Sequence, residues 1–239
     1  MKLTFLGTRG EIEARTRRHR MHTSLLVSYR TTDVMIDCGL DWLGKLNRVA
    51  PSAIALTHAH PDHAWGLKRG TPCPVYAPEK TWQELRHYPL KDRHVIKERM
   101  PTKICGITFE AFPVEHWILS PAVGYRVCAG RARIFYVPDL IFIHERSAAL
   151  DAVQLYIGDG ATVTRSFIRK RGKALIGHSA VQTQLTWCQK EGVPRAIIIH
   201  CGSEIVSGDE RGISARLRAM AADRGIELRI AYDGMKVTL

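Results

Sequence analysis

A short segment of the chain concentrates side chains that bind transition metals. Three histidines and one aspartate occupy six positions in the pattern HxHxDH, as His58, His60, Asp62 and His63. Zinc accepts imidazole nitrogens and carboxylate oxygens, but four such donors in six positions cannot all reach one ion with good geometry. The spacing therefore predicts that they divide between two ions. A histidine-rich surface loop is the alternative, and a lone HxH pair would favour it.

The elements around this segment indicate how it is positioned. It follows the apolar run 53–56, which is typical of a buried strand, and Pro61 suits the first turn of a following helix. The histidines should therefore lie in the loop that leaves a strand. Similar runs bounded by Gly, Pro or Asp recur in both halves of the chain and predict strands at 3–6, 23–29, 33–36, 107–112, 123–127, 134–137, 153–157 and 195–199.

Helical periodicity is clearest in the last third of the chain. Val181, Leu185 and Cys188 share one helical face, with Ser179 as the expected cap. A second helix is predicted at about 213–224. No repeat or linker interrupts the chain, so we predict a single domain over residues 1–239. Its expected class is α/β, an αββα sandwich of two mixed sheets flanked by helices.

The composition favours an anionic partner. The chain has 35 Lys and Arg against 23 Asp and Glu, a formal charge of +12, which attracts phosphate-bearing molecules such as RNA or DNA. A solubility bias is the alternative. Basic residues cluster at 15–20 and at 165–171, and the second stretch contains Phe167. This stretch either lines a cleft, with arginines on phosphates and Phe167 stacked on a base, or forms a solvated loop.

The cysteines and the apolar runs predict a cytoplasmic protein. The six cysteines include no CxxC pair, which indicates neither a zinc knuckle nor a disulfide framework. The apolar run at the N-terminus is too short for a signal peptide or a membrane span, so no membrane association is expected. The sequence leaves the oligomeric state open, a homodimer included.

The HxHxDH segment resembles the defining motif of the metallo-β-lactamase superfamily, in which an Asp at the end of an earlier strand precedes it. Asp37 matches that Asp. The resemblance implies three further metal ligands, each at the end of a strand, and His116, Asp139 and His200 follow apolar runs in the required order.

Carried onto this chain, the resemblance assigns every ligand. The first ion is assigned to His58, His60 and His116, and the second to Asp62, His63 and His200. The resemblance further implies that Asp139 bridges the two ions and that Asp37 orients a ligand imidazole without binding metal. The implied cofactors are two divalent ions, Zn²⁺ first, with Mn²⁺ or Fe²⁺ as alternatives.

Two further segments resemble the branch that contains ribonuclease Z and the phosphoribosyl cyclic phosphodiesterases. They are the glycine loop at 5–10 with the Arg-rich segment after it, and the sequence Gly-His-Ser-Ala at 177–180. In that branch the corresponding histidine assists the leaving group or contacts the scissile phosphate. In the first of these roles His178 is expected to be the general acid, and Asp62 is expected to accept a proton from the attacking water. Alternatively, His178 merely precedes a helix capped by Ser179.

The resemblance implies a hydrolase, because two ions can activate water and stabilise charge on a phosphoryl oxygen. The expected reaction is hydrolysis of a cyclic nucleotide-like or nucleic-acid phosphodiester. One alternative is a thioester or lactone hydrolase of the glyoxalase II type. Another is a nucleic-acid-binding module with a structural metal site. The chain between Asp139 and His178 is too short for the long exosite arm of ribonuclease Z, so the sequence predicts a reaction type and not a substrate.

Overall fold

Two mixed β-sheets share an apolar core in the computed structural model, which describes residues 1–117, 119–172 and 174–239. In this part of the chain the first sheet has seven strands, in the spatial order β17-β1-β2-β3-β4-β5-β6. These strands are β1 (Lys2–Gly7), β2 (Ser24–Tyr29), β3 (Thr32–Ile36), β4 (Ala53–Ala55), β5 (Val75–Ala77), β6 (Arg93–Val95) and β17 (Lys236–Thr238).

The second sheet has eight strands among the described residues, in the order β11-β8-β9-β10-β12-β15-β16, with β7 paired to β8. These strands are β7 (Thr102–Ile104), β8 (Ile107–Glu115), β9 (Ala122–Ala129), β10 (Ala132–Val137), β11 (Phe142–Ile143), β12 (Leu155–Asp159), β15 (Arg195–Ile199) and β16 (Glu227–Ile230). A separate hairpin consists of β13 (Phe167–Arg171) and β14 (Ala174–His178).

Short helices cover the outer face of each sheet. The α-helices are α1 (Pro61–Ala64), α2 (Glu79–Glu84), α3 (Arg146–Leu150), α4 (Val181–Lys190), α5 (Ser203–Ser207) and α6 (Glu210–Ala222). Single 3₁₀ turns occur at Leu40–Trp42, Leu46–Arg48 and Trp65–Leu67. None of the helices in the described ranges combines the length and apolar character needed to cross a bilayer.

Three apolar clusters account for the layers. The central cluster joins the inner faces of both sheets, as Phe5 and Val27 on one side meet Tyr125 and Ile157 on the other. A second cluster lies between the first sheet and α1 and α2, and a third between the second sheet and α3 to α6. This arrangement of helix, sheet, sheet and helix confirms the predicted αββα sandwich.

Parallel pairing brings strand ends to common edges. In the first sheet β3, β4, β5 and β6 pair in parallel, and in the second β10, β12, β15 and β16 do so. Since parallel strands run in one direction, the residues that follow β3 and β4, or β10, β12 and β15, leave each sheet at the same edge. Polar side chains after these strands can therefore converge.

One local prediction is wrong. Ser179 does not cap α4, because Ala180 occupies the position before the helix and the Ser179 hydroxyl donates to the Ile141 carbonyl at 2.5 Å. The basic stretch 165–171, for which the sequence left a cleft wall or a solvated loop open, forms the exposed strand β13 over most of its length. The second predicted helix is present as α6, where the Asp209 side chain accepts from two amides of the first turn.

Candidate metal centre

The strand ends place all seven predicted ligands in one buried cluster. His58 and His60 lie after β4, and the short helix α1 that follows contains Asp62 and His63. The other three follow β8, β10 and β15 and are His116, Asp139 and His200. Each predicted ligand except the half-buried His60 is buried.

These side chains form two overlapping sets. The potential donor atoms of His58, His60, His116 and Asp139 lie within 4.8 Å of one another. The same holds for Asp62, His63, Asp139 and His200. The two sets match the division that the family resemblance implies, and Asp139 belongs to both.

The Asp139 carboxylate lies at the centre of the cluster. Its Oδ2 atom is 2.9 Å from His63 Nε2, 3.3 Å from His58 Nε2 and 3.7 Å from His116 Nε2. Its Oδ1 atom is 3.0 Å from His200 Nδ1. A carboxylate that faces imidazoles from both sets is suited to bridge two cations.

Unpartnered polar atoms indicate that the cluster suits metal ions. His58 Nε2, His63 Nε2 and Asp139 Oδ1 are buried and make no hydrogen bond, although each lies close to another member of the cluster. A buried polar atom without a partner is costly and requires an explanation such as a bound ion. Nitrogen and carboxylate donors are also the mixture that zinc prefers. The residues therefore fit two divalent ions.

Asp37 fixes the orientation of two imidazoles of the cluster. Its Oδ2 atom accepts a hydrogen bond from His63 Nδ1 at 3.0 Å, which leaves His63 Nε2 facing Asp62 and Asp139. Thr57 links the same carboxylate to His58, because its hydroxyl lies 3.0 Å from both Asp37 oxygens and from His58 Nδ1. Such contacts fix the tautomer and orientation of a ligand ring.

The backbone is strained at two of these strand ends. Asp37 and His200 adopt left-handed conformations with φ of 62° and 55°, which residues other than glycine seldom do. Strained backbone persists where the surrounding structure demands it, and it clusters at functional sites. At both positions it turns a carboxylate or an imidazole into the cluster directly after a strand.

The hairpin is attached to the cluster through Gly177. The carbonyl of Gly177 accepts a hydrogen bond from His116 Nδ1 at 3.1 Å, and its N–H donates to the His116 carbonyl at 3.3 Å. The backbone of Gly177 has φ of 131°, and a Cβ atom there would lie 1.8 Å from the Phe167 carbonyl oxygen. Glycine is therefore required where the hairpin reaches the cluster.

Sequence reasoning did not identify Asp159, a further member of this site. It ends β12, is fully buried, and accepts a hydrogen bond from His178 Nδ1 at 2.7 Å. Its other oxygen lies 3.4 Å from His200 Nδ1 and accepts from the Ala161 amide. The available signal was an aspartate directly after an apolar strand, as at Asp37 and Asp139.

Burial and charge set opposite protonation preferences within the cluster. Burial lowers the pKa of His60 to about 4 and that of His58 well below its ordinary value. Burial also lowers the pKa of His200, but the Asp139 carboxylate and its neighbours outweigh that effect and raise it to about 10. For Asp139, burial raises the pKa, whereas the surrounding imidazoles bring it well below the ordinary value. His58, His60 and Asp139 therefore favour the unprotonated states that bind metal. His200 and His63, whose pKa neighbouring carboxylates raise, would each lose a proton when a metal ion binds.

A cavity of about 1130 Å³ opens onto these residues. His178, which is 22% exposed, and Trp117 line it, and the Trp117 ring centre lies 5.8 Å from that of His60. From the basic stretch 165–171, the lining includes Arg165, Arg169 and Lys170. The side chain of Arg171 lies outside what the structure describes.

The other basic stretch, at 15–20, is not part of the described cavity lining, which includes Gly10, Glu11 and Ile12 from the preceding loop. Arg15 pairs with Asp41, and Arg18 pairs with Glu210. Two of its arginines thus form ion pairs at the surface, and a contact between this stretch and nucleic acid stays a prediction.

Comparison with known proteins gives a family match over most of the chain. Residues 32–201 match the family model described as the β-lactamase superfamily domain. Ribonuclease Z from Methanococcus maripaludis is 29% identical over 153 residues, which covers 52% of this chain and 48% of the relative. The chain thus spans about half the length of the curated relatives it matches.

Solved structures share the fold across nearly the whole chain. The metallo-β-lactamase fold protein YhfI from Bacillus subtilis has a TM-score of 0.76 at 15% identity, covering 99% of this chain and 98% of its own. A diphosphatase from the PhnP family has a TM-score of 0.74 at 22% identity, covering 99% of this chain and 96% of its own. At these identities the likeness concerns the fold alone.

The shared position of Asp139 predicts how metal content responds to substitution. We expect about two equivalents of zinc per chain in the wild type, loss of most of both in Asp139→Ala, and loss of about one in His60→Ala. Elemental analysis after exhaustive dialysis measures this. His94→Ala is the control, since His94 is exposed on β6 and pairs with Asp92, which precedes that strand. Full zinc content in Asp139→Ala would contradict the bridging role.

Gly177→Ala should disturb the cluster from a distance. Because the new Cβ would meet the Phe167 carbonyl, the hairpin must shift and weaken the hydrogen bond from His116 to Gly177. We expect zinc affinity to fall about 10- to 100-fold, the usual effect of removing an orienting partner. Competition with a fluorescent chelator measures the affinity. Gly106→Ala controls for backbone strain alone, because Gly106 also has positive φ but has no neighbour within 4 Å; an equal loss in both variants would contradict the mechanism.

Proposed function

Because the chain belongs to the β-lactamase superfamily, we propose that it is a metal-dependent hydrolase that cleaves a phosphodiester with two bound ions. The observation that carries this proposal is the pair of donor sets that share Asp139 and border a cavity with a basic wall. A site that serves structure alone would close its coordination and would have no need of such a cavity.

In this proposal His58, His60 and His116 hold one ion, Asp62, His63 and His200 hold the other, and Asp139 contacts both. Zn²⁺ is the expected ion, with Mn²⁺ or Fe²⁺ as alternatives. Bound in this way, the ions would acidify water and stabilise the charge that grows on a phosphoryl oxygen.

The proposed proton acceptor is Asp62. Its Oδ2 atom lies 3.1 Å from His63 Nε2 and 3.0 Å from His200 Nε2, and the side chain lines the cavity. Burial raises the pKa of Asp62, but His63 and His200 outweigh burial and place it well below the ordinary value. The carboxylate is therefore ionised and can orient water and take its proton.

The proposed proton donor is His178. Its Nδ1–H donates to Asp159, which leaves Nε2 as the nitrogen that can deliver a proton to a ligand in the cavity. Burial lowers the pKa of His178, but the Asp159 carboxylate outweighs it, so the pKa is raised above its ordinary value. The carboxylate thus favours the protonated imidazole, which is the form that can protonate a departing oxygen.

The cavity wall supports a phosphate-containing substrate over a thioester or a lactone. In the part of the chain that the structure describes, Arg165, Arg169 and Lys170 form no ion pair with a carboxylate, so their charges are available to a ligand. The names of two relatives, ribonuclease Z and a diphosphatase, support the same chemistry. We therefore propose a cyclic nucleotide-like or nucleic-acid phosphodiester as the substrate.

A substrate panel tests the proposed reaction. Zinc- or manganese-loaded protein should hydrolyse bis(p-nitrophenyl) phosphate and short RNA or DNA faster than a thioester or a lactone. The Asp139→Ala protein should hydrolyse none of these substrates. Faster turnover of the thioester or lactone would replace the proposal with a carbonyl hydrolase. Tight nucleic-acid binding without any turnover would replace it with a binding module.

His178→Ala should slow the reaction according to the leaving group. General acid catalysis contributes roughly 10²- to 10⁴-fold and matters most for a poor leaving group. We therefore expect a far larger loss of kcat/KM on a nucleoside or alkyl diester than on a nitrophenyl diester, with metal content unchanged. Equal losses on both substrates would mean that His178 positions the phosphate, and loss of metal would mean that its role is structural.

A further inference from the structure

The β13–β14 hairpin presents one of its faces to the cavity. Its register pairs Phe167 with His178 and Arg169 with Ile176. Side chains that are directly opposite in an antiparallel pair project from the same face, with Cβ atoms about 4.5 to 5.5 Å apart. All four residues line the cavity. Phe167 is therefore the immediate cross-strand neighbour of the proposed proton donor.

The Phe167 ring is held ready for contact with a ligand. Its side chain is 53% exposed although the cavity surrounds it, and the Arg169 guanidinium carbon lies 4.5 Å from the ring centre. One face of the ring thus stacks against a cation, and the exposed remainder borders the cavity. Folding buries only about half of this apolar ring, so its remaining surface is available to stack on a ligand.

Arginines accompany this ring on its own strand and in the segment before it. Arg165 and Arg169 line the same cavity as Phe167, as does Lys170, which is paired with Leu175 and so belongs to the other face of the hairpin. Aromatic rings interleaved with Arg and Lys are the combination that binds single-stranded nucleic acid, because the ring stacks on a base while the cations contact phosphates. The opposite face of the hairpin carries Ile168, Lys170 and Leu175, and of these three Lys170 alone belongs to the described cavity lining.

We propose that Phe167 and Arg169 form a nucleobase subsite for the departing nucleoside of the substrate. This inference rests on the proposed function, in which water adds to phosphorus, Asp62 takes the proton that water loses, and the P–O bond to the leaving group breaks. His178 gives its proton to the departing oxygen. Because Phe167 is the cross-strand neighbour of His178, the group attached to that oxygen lies against the ring. The preferred leaving group is then a nucleoside and not a small alcohol.

Equilibrium binding tests the subsite without turnover. Zinc-loaded wild-type protein should bind AMP at least about 5-fold more tightly than ribose 5-phosphate, since base–aromatic stacking contributes roughly 5- to 150-fold per base. Phe167→Leu should remove that preference by weakening AMP binding about 10-fold and leaving ribose 5-phosphate unchanged, whereas Phe167→Tyr should retain it. Isothermal titration calorimetry measures all three proteins.

The matched control is Phe142→Leu. Phe142 has a similar exposure to Phe167, 41% against 53%. Phe142, however, lies on β11 and is not part of the described cavity lining. This variant should bind AMP as the wild type does. Equal affinity of the wild type for AMP and ribose 5-phosphate, or equal losses in Phe142→Leu and Phe167→Leu, would overturn the subsite.

Hydrolysis of a dinucleotide then locates the base. ApA is compared with two analogues that lack one or the other base, and the product that retains the phosphate identifies the side that leaves. The analogue without the departing base should have a kcat/KM about 10-fold lower than ApA in the wild type, and Phe167→Leu should lower it no further. On the analogue without the other base, Phe167→Leu should still lower kcat/KM. Sensitivity to the other base instead would overturn the assignment. Selective AMP binding with no hydrolysis of any diester would refute the proposed function and leave the nucleobase subsite standing.

Discussion

The structure depends on how the negative charge of the buried Asp139 carboxylate is balanced. A carboxylate that is 3% exposed is expensive to bury, and the fold surrounds it with the imidazoles of His58, His63, His116 and His200. These come from the ends of three strands in two sheets, so both sheets must place their edges correctly before the charge is balanced. The strained backbone at His200 and at Asp37 is explained by the same requirement.

Much of this arrangement could be predicted from the sequence. The family resemblance, together with polar residues at the ends of apolar runs, indicated the ligand positions. The apolar runs also predicted the longer strands; β15, for example, begins and ends where the run at 195–199 does, whereas short strands such as β5, β6 and β7 were not predicted. The family prediction is confirmed by the match over residues 32–201. The two donor sets agree with the division that the resemblance implied, although their binding of metal stays a prediction.

What could not be predicted depends on contacts between distant segments. Asp159 acquires its role because β14 returns to place His178 against it, and no local pattern records that return. Strand β13, with the sequence FIRKR, lacks the alternation of a strand that packs on a core, because its inner face borders a cavity. Ser179 has the residue type and position of a helix cap, but a carbonyl from the β10–β11 segment takes its hydroxyl instead.

The division of the donor sets between the sheets has a mechanical consequence. In one donor set the first sheet contributes His58 and His60, and the second sheet contributes His116 and Asp139. In the other set the first sheet contributes Asp62 and His63, and the second contributes Asp139 and His200. Each proposed ion would therefore act as a clamp across the sandwich at its open edge. Since a ligand that binds the folded state alone stabilises it in proportion to the logarithm of its concentration, the cohesion of the two halves would follow the cell's supply of metal. Metal starvation would then act on the lifetime of the protein as well as on its chemistry.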